Sequence, residues 1–220
     1  MPTALSTDQA LDHRVIAQHA PYITSWSSEH ELKRDVVECR SVGIAYTDEC
    51  VTDRDDHGVL WCEVVSRPRQ GRPQFGRVHP LRQRRAMRRL LCQVCGSPAD
   101  QNDDGVLWLL QDHHDDWPSW PERMGSTEPP VCAGCVPIAM RLCPAMRQGA
   151  VAFRVCRYPI IGVRGMLYHR EGKDLIATHE ENARYDDPTV RWMRAVSLIR
   201  ELRDCTIVPL EDLCPSSTAT

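Results

Sequence analysis

The chain has 220 residues, 42% of them hydrophobic and 26% charged, with a formal net charge of −3. That length can bury a sizeable core, and the balance excludes a disordered or collagen-like chain. No apolar run can span a bilayer, and MPTALSTDQALDHRVIAQHA lacks the basic start and apolar core of a secretory signal, so the sequence predicts a cytoplasmic protein.

A reducing compartment changes the reading of the 11 cysteines, which then point to metal binding or thiol chemistry rather than a disulfide framework. Residues 1–40 predict an N-terminal helical segment. Ser6 or Thr7 can cap it, Leu11, Val15 and Ile16 recur near helical spacing, and Pro21 stops it. SEHELKRDVVECR (28–40) predicts a second helix. An α+β domain follows over 41–205. VGIAY and GVLWCEVV read as its first strands, with Asp55, Asp56, His57 and Gly58 forming a turn before the second. SRPRQGRPQFGRVHP, rich in Gly and Pro, reads as a loop, and LRQRRAMRRLL as a short helix with Leu81, Met87 and Leu90 on its less charged side.

Loop and helix together form an arginine insert. Residues 67–91 carry nine arginines and no acid, whereas 1–66 carry 5 basic and 12 acidic residues and 92–149 carry 3 and 8. Arg82, Arg84, Arg85, Arg88 and Arg89 are therefore candidates to bind nucleic acid or an acidic partner, since each cation near a phosphate releases a counterion. The competing expectation is that the insert neutralises the acidic blocks on either side. Phe75 and His79 are its only rings, so base stacking has little support from the insert itself.

Cys92 and Cys95, then Cys132 and Cys135, make a C-x2-C…C-x2-C set. Zinc takes four soft donors in a tetrahedron, and a two-residue spacer lets one tight turn supply two thiolates. Four thiolates fill every position, so the expected Zn2+ is structural, with no opening for a catalytic water. A redox dithiol is the weaker alternative, because Cys92 and Cys95 precede the strand GVLWLL rather than start a helix. The order of knuckle, hairpin, Pro-rich loop and a pair at a helix start resembles a treble-clef zinc finger over 91–149. The wider pattern, HPLRQRRAM through LLCQVCG and PPVCAGCVPIAM, is similar to actinobacterial proteins that carry no assigned activity. The other cysteines lack paired spacing and read as small core residues.

DDHGVLW at 55–61 echoes DDGVLW at 103–108, two acidic turns each feeding an apolar strand. QDHHDDW then places His113 and His114 among acids. His-Asn-His nucleases resemble this stretch, yet VPIAMRLCP supplies no His or Asn to complete a hydrolytic metal site. Beyond it, AVAFRVCRY and IIGVRGMLYHR read as strands. DDPTVRWMRAVSLIRELRD predicts a helix capped by Asp187, with Val190, Met193, Val196, Ile199 and Leu202 at helical spacing, and 206–220 is a tail.

The expected fold is α+β, short antiparallel strands and helices around a four-cysteine, treble-clef-like zinc site. The expected function is a zinc-stabilised regulatory or adaptor protein that binds nucleic acid or a protein partner. The alternatives are a nuclease-like metal-dependent enzyme using His113 and His114, and a purely structural or interaction protein.

Overall fold

The computed structural model describes residues 20–214. The predicted helix around Ser6–Ile16 lies outside them. The longest element is strand β12, Met193–Val208, where a helix was expected. Asp187 does cap a turn, its side chain accepting from the Thr189 N–H, but the turn is a short 3-10 segment, Pro188–Trp192. Residues 193, 195 and 197 are buried and 194 and 196 half-buried, the alternation of a strand. From Leu198 to Glu201 the strand is covered on both faces, so an every-third apolar pattern fits it as well as a helix. Val196, Ile199, Ile207 and Val208 are β-branched, which favours the extended form.

β12 organises the molecule. Strands β9 (Ala150–Arg157) and β10 (Ile160–Glu171) both run antiparallel to it. Arg157 faces Arg203 and Ile160 faces Arg200, so the two continue one after the other along β12. At the joint the Glu201 N–H donates to the Pro159 carbonyl (3.0 Å). On the opposite edge of β12 lie β4 (Leu60–Trp61), parallel, and β8 (Met124–Ser126), antiparallel. β11 (Asp174–Arg184) extends the sheet beyond β10, and the hairpin of β6 (Gln101–Asn102) and β7 (Gly105–Gln111) extends it beyond β9. The curled antiparallel order is thus β11-β10-β12-β9-β7-β6.

Two small ribbons complete the strands, β1 (Thr24–Trp26) with β5 (Pro73–Val78), and β2 (Val36–Cys39) with β3 (Gly43–Tyr46). Helix α1, Pro80–Arg89, packs on β12. Its buried face is Arg82, Gln83, Ala86 and Met87, while Leu81 is 51% exposed. Met87 joins Val59, Trp61, Val163, Met193 and Leu198 in one core cluster. The Gln83 amide donates to the carbonyls of Leu198 (2.9 Å) and Thr127 (2.7 Å), and its oxygen accepts from the Leu198 N–H (2.9 Å). The Arg200 guanidinium donates to the Met87 carbonyl in the last turn of α1 (2.6 Å), where the helix dipole favours a cation. Short helices α2 (Val136–Leu142), α3 (Pro144–Arg147) and α4 (Leu210–Leu213) lie toward the β7–β9 end.

This is a mostly β protein, 43% strand against 18% helix, and the expected α+β treble-clef architecture is corrected accordingly. The stretch 28–40 holds strand β2 rather than a helix, and the latter half of the Gly- and Pro-rich stretch is strand β5 rather than loop. The echoed motifs also differ in place. β4 is a two-residue parallel contact to β12, whereas β7 is a seven-residue strand paired with β9. No helix among the described residues is long and apolar enough to cross a membrane.

Candidate metal centre and adjoining groove

Cys92 leads into a tight turn. The Gly96 N–H donates to the Cys92 carbonyl (2.8 Å) and the Cys92 N–H to the Ser97 carbonyl (2.7 Å). Gly96 sits at φ 76°, and a Cβ there would lie 2.8 Å from the Tyr22 ring, so both backbone and space require glycine. The turn is tied down by Gln93 N–H to the Pro130 carbonyl (2.9 Å) and Asp100 N–H to the Val131 carbonyl (3.1 Å). Val131 in turn donates to the Leu107 carbonyl on β7 (2.9 Å). The second pair flanks a 3-10 turn, Ala133–Cys135, closed by Cys135 N–H to the Cys132 carbonyl (2.9 Å), and α2 follows at once.

These two turns bring the Sγ atoms of Cys92, Cys95, Cys132 and Cys135 within 4.8 Å of one another. Cys95 and Cys132 sulfurs are 3.7 Å apart. A tetrahedral ion with sulfur bonds of about 2.3 Å holds its ligands about 3.8 Å apart, so the cluster has the dimensions of a four-thiolate site. Among the described residues it is the one group of three or more His, Cys, Asp or Glu side chains placed to hold an ion. Burial pushes the Cys92 thiol up to about 11 and raises Cys135 as well. Burial also acts on Cys95, but hydrogen bonds from the Ser97 N–H and hydroxyl and from the neighbouring thiols outweigh it and bring that thiol down to about 7. A cation between the sulfurs would offset the cost of ionising the buried members.

His113 and His114 are exposed on the loop after β7. The His114 Nδ1 and Asp112 Oδ1 atoms are 2.8 Å apart, and this contact raises the imidazole above its ordinary value. The pair is local, between residues two apart, and belongs to no ion-holding cluster among the described residues. Asp55 is likewise structural, accepting from the Val59 N–H, the Trp61 indole and the Tyr185 hydroxyl. Of the unpaired-spacing cysteines, Cys62 is buried, but Cys50 and Cys156 are exposed rather than core residues.

The five candidate arginines separate. Arg82 is buried and grips Glu29 with both terminal nitrogens (2.7 and 2.6 Å) while donating to the Thr24 carbonyl (2.7 Å). Arg84 lies over the Trp61 ring at 4.6 Å. Arg85, Arg88 and Arg89 are exposed. Of the nine arginines in 67–91, two form ion pairs among the described residues, Arg82 with Glu29 and Arg88 with Asp56 at 3.9 Å.

Beside the cysteine cluster lies a groove of about 540 Å³. Cys95 and Cys135 form part of one wall, and Tyr22, Trp26, Arg69, Leu81, Arg85 and Ile138 line the rest. Sequence reading did not find it, because its rings come from positions 22 and 26, its cations from 69 and 85, and only the folded chain joins them. Comparison with protein-family models, with curated proteins and with solved structures gives no match.

Proposed function

We propose that this chain is a zinc-stabilised adaptor that presents an arginine-bearing face to nucleic acid. Zn2+ is the ion that suits four thiolates at these separations; iron is the other metal that favours such a set. The metal centre is structural in this reading. It ties the Cys92–Gly96 turn to the start of α2, and through Tyr22 and β1 it supports the segment that carries the arginines.

The observation that carries the binding role is the missing neutralisation. Acid-rich stretches flank the insert, yet seven of its nine arginines form no ion pair among the described residues. Six of these seven are exposed, Arg84 lying over Trp61, and cations left to solvent in this way are available to phosphates, so that association by counterion release follows.

Two measurements on the purified protein test this. Elemental analysis is expected to give about one zinc per chain, with four thiols becoming reactive only on chelation. Binding to nucleic acid is expected to weaken steeply as salt rises. An iron chromophore or no metal overturns the zinc assignment. Absence of salt-sensitive nucleic-acid binding overturns the adaptor role, and salt-sensitive binding to acidic proteins alone moves the partner to that class.

A further inference from the structure

We infer that the groove beside the cysteine cluster is the seat of single-stranded nucleic acid, the bases entering against the half-buried Tyr22 over a floor that includes the buried Trp26, and the phosphates meeting Arg69 and Arg85. This inference rests on the nucleic-acid reading above and names the place and form of the ligand. Four features converge on it.

The first is size. About 540 Å³ falls within the range of ligand sites, roughly 300–1,000 Å³, and suits one or two nucleotides rather than a duplex. The second is lining. Trp26, Leu81, Val94 and Ile138 provide an apolar floor and Tyr22 a ring, while Arg69 and Arg85 supply cations that no carboxylate pairs among the described residues. A basic groove with rings is the arrangement that holds single strands without reading sequence. The rings absent from the insert itself are thus supplied by β1 and the residues before it.

The third is the construction of the turn that carries Arg69. That residue stands at φ 63°, a left-handed conformation uncommon for arginine. The turn is fastened to residues 27 and 28. The Ser28 hydroxyl donates to the Gln70 carbonyl (2.7 Å) and the Arg72 N–H donates to the Ser27 hydroxyl (2.9 Å). A Cβ on Gly71, at φ 81°, would lie 2.2 Å from the Ser27 oxygen. A cation on an otherwise strained turn is being held over the groove, and strain of this kind gathers at ligand clamps. The fourth is Arg82 below. It is buried and lines the groove, yet its charge is answered by Glu29 and its Nε has no hydrogen-bond partner. That Nε is an N–H donor left without a partner beneath the groove.

The test uses full-length metal-loaded protein and a fluorescent oligothymidylate of about ten nucleotides, within the span that one single-strand site covers, with a duplex of equal length beside it. Single strand is expected to bind more tightly than duplex. The double variant Arg69→Gln/Arg85→Gln is expected to weaken it roughly ten-fold or more and to lower the log–log salt slope by about 1.4, at about 0.7 per phosphate contact. Arg164→Gln, at a half-buried arginine on β10 paired with Glu180, is expected to bind as wild type. A second readout is the absorption of protein loaded with cobalt, which reports on thiolates at the groove wall and is expected to change when the oligonucleotide enters. Preference for duplex, or an oligonucleotide affinity unmoved by the double variant with a static cobalt spectrum, overturns the groove as the seat while leaving the adaptor reading intact. Absence of binding to any nucleic acid removes both.

Discussion

Glu29 is nearly shielded from water, and its carboxylate is held by Arg82 and by the backbone N–H groups of Trp26 and Arg67. Burial pushes this carboxyl up, but those donors outweigh it and hold the group below its ordinary value of 4.5. Removing one partner of such a pair strands the other charge, so Glu29→Gln is expected to lower unfolding free energy by about 3–5 kcal/mol, measured by urea denaturation. Beside it, His79 is fully buried, with Nε2 at 3.8 Å from Glu29 and 3.4 Å from the Val65 carbonyl. Burial, then Arg82, lowers this imidazole below 6.5, against the pull of Glu29. Above that value both folded and unfolded chains hold a neutral ring. Below it the unfolded chain takes up a proton that the folded one resists, so stability falls as pH drops through 6.5. Glu29 acts lower down. Its lowered value gives stability that is present above 4.5 and is lost as the pH falls toward the folded value. Urea midpoints from about pH 8 to about pH 2 check both, and His79→Gln is expected to flatten the upper step.

At the scale of elements, Gln83 joins α1 to β12 through both polar atoms. Gln83→Leu leaves the Leu198 N–H and carbonyl buried without that partner, and thermal or urea unfolding is expected to show a loss of about 2–4 kcal/mol. The same helix marks how far sequence could be read. Its presence and the inward Met87 were legible from LRQRRAMRRLL, but the rest of its inward face was not, because Arg82 and Gln83 are buried by partners 53 and 115 residues away. Strands β3, β7, β9 and β10 were legible as apolar runs bounded by turn residues. β11 was not, since one buried residue, Ala183, interrupts an otherwise exposed or half-exposed edge strand and leaves no pattern. β12 was misread because coverage on both faces erases the two-residue period. The cysteine turns were legible from spacing alone, since a C-x2-C pair and Gly96 are local requirements.

For the whole molecule, the cysteine cluster and the α1–β12 cluster occupy different parts of one sheet. Cys92 and Cys135 pack with Leu107, Leu109, Val131 and Ala152, whereas Met87 and Trp61 pack with Met193 and Leu198. Chelation is expected to lower the melting temperature and to speed hydrogen exchange first at the amides of Gln93, Asp100 and Val131, with Leu198 protected longest. Exchange at equal rates across both regions would show that the metal holds the entire sheet as one cooperative unit.

The position of β12 within the chain has a consequence for synthesis. All four cysteines have been added by residue 135, yet the strand that β4, β8, β9 and β10 pair with begins only at Met193. All four candidate ligands are therefore present while β4 and β8 still lack their only strand partner and β9 and β10 each lack one. During that interval β10, twelve residues long, has β11 on one edge and nothing on the other. An unpaired edge of this kind invites pairing with other chains. A ribosome that pauses before β12 has emerged thus leaves that edge exposed, and the speed of the last stretch of translation sets how long the hazard lasts.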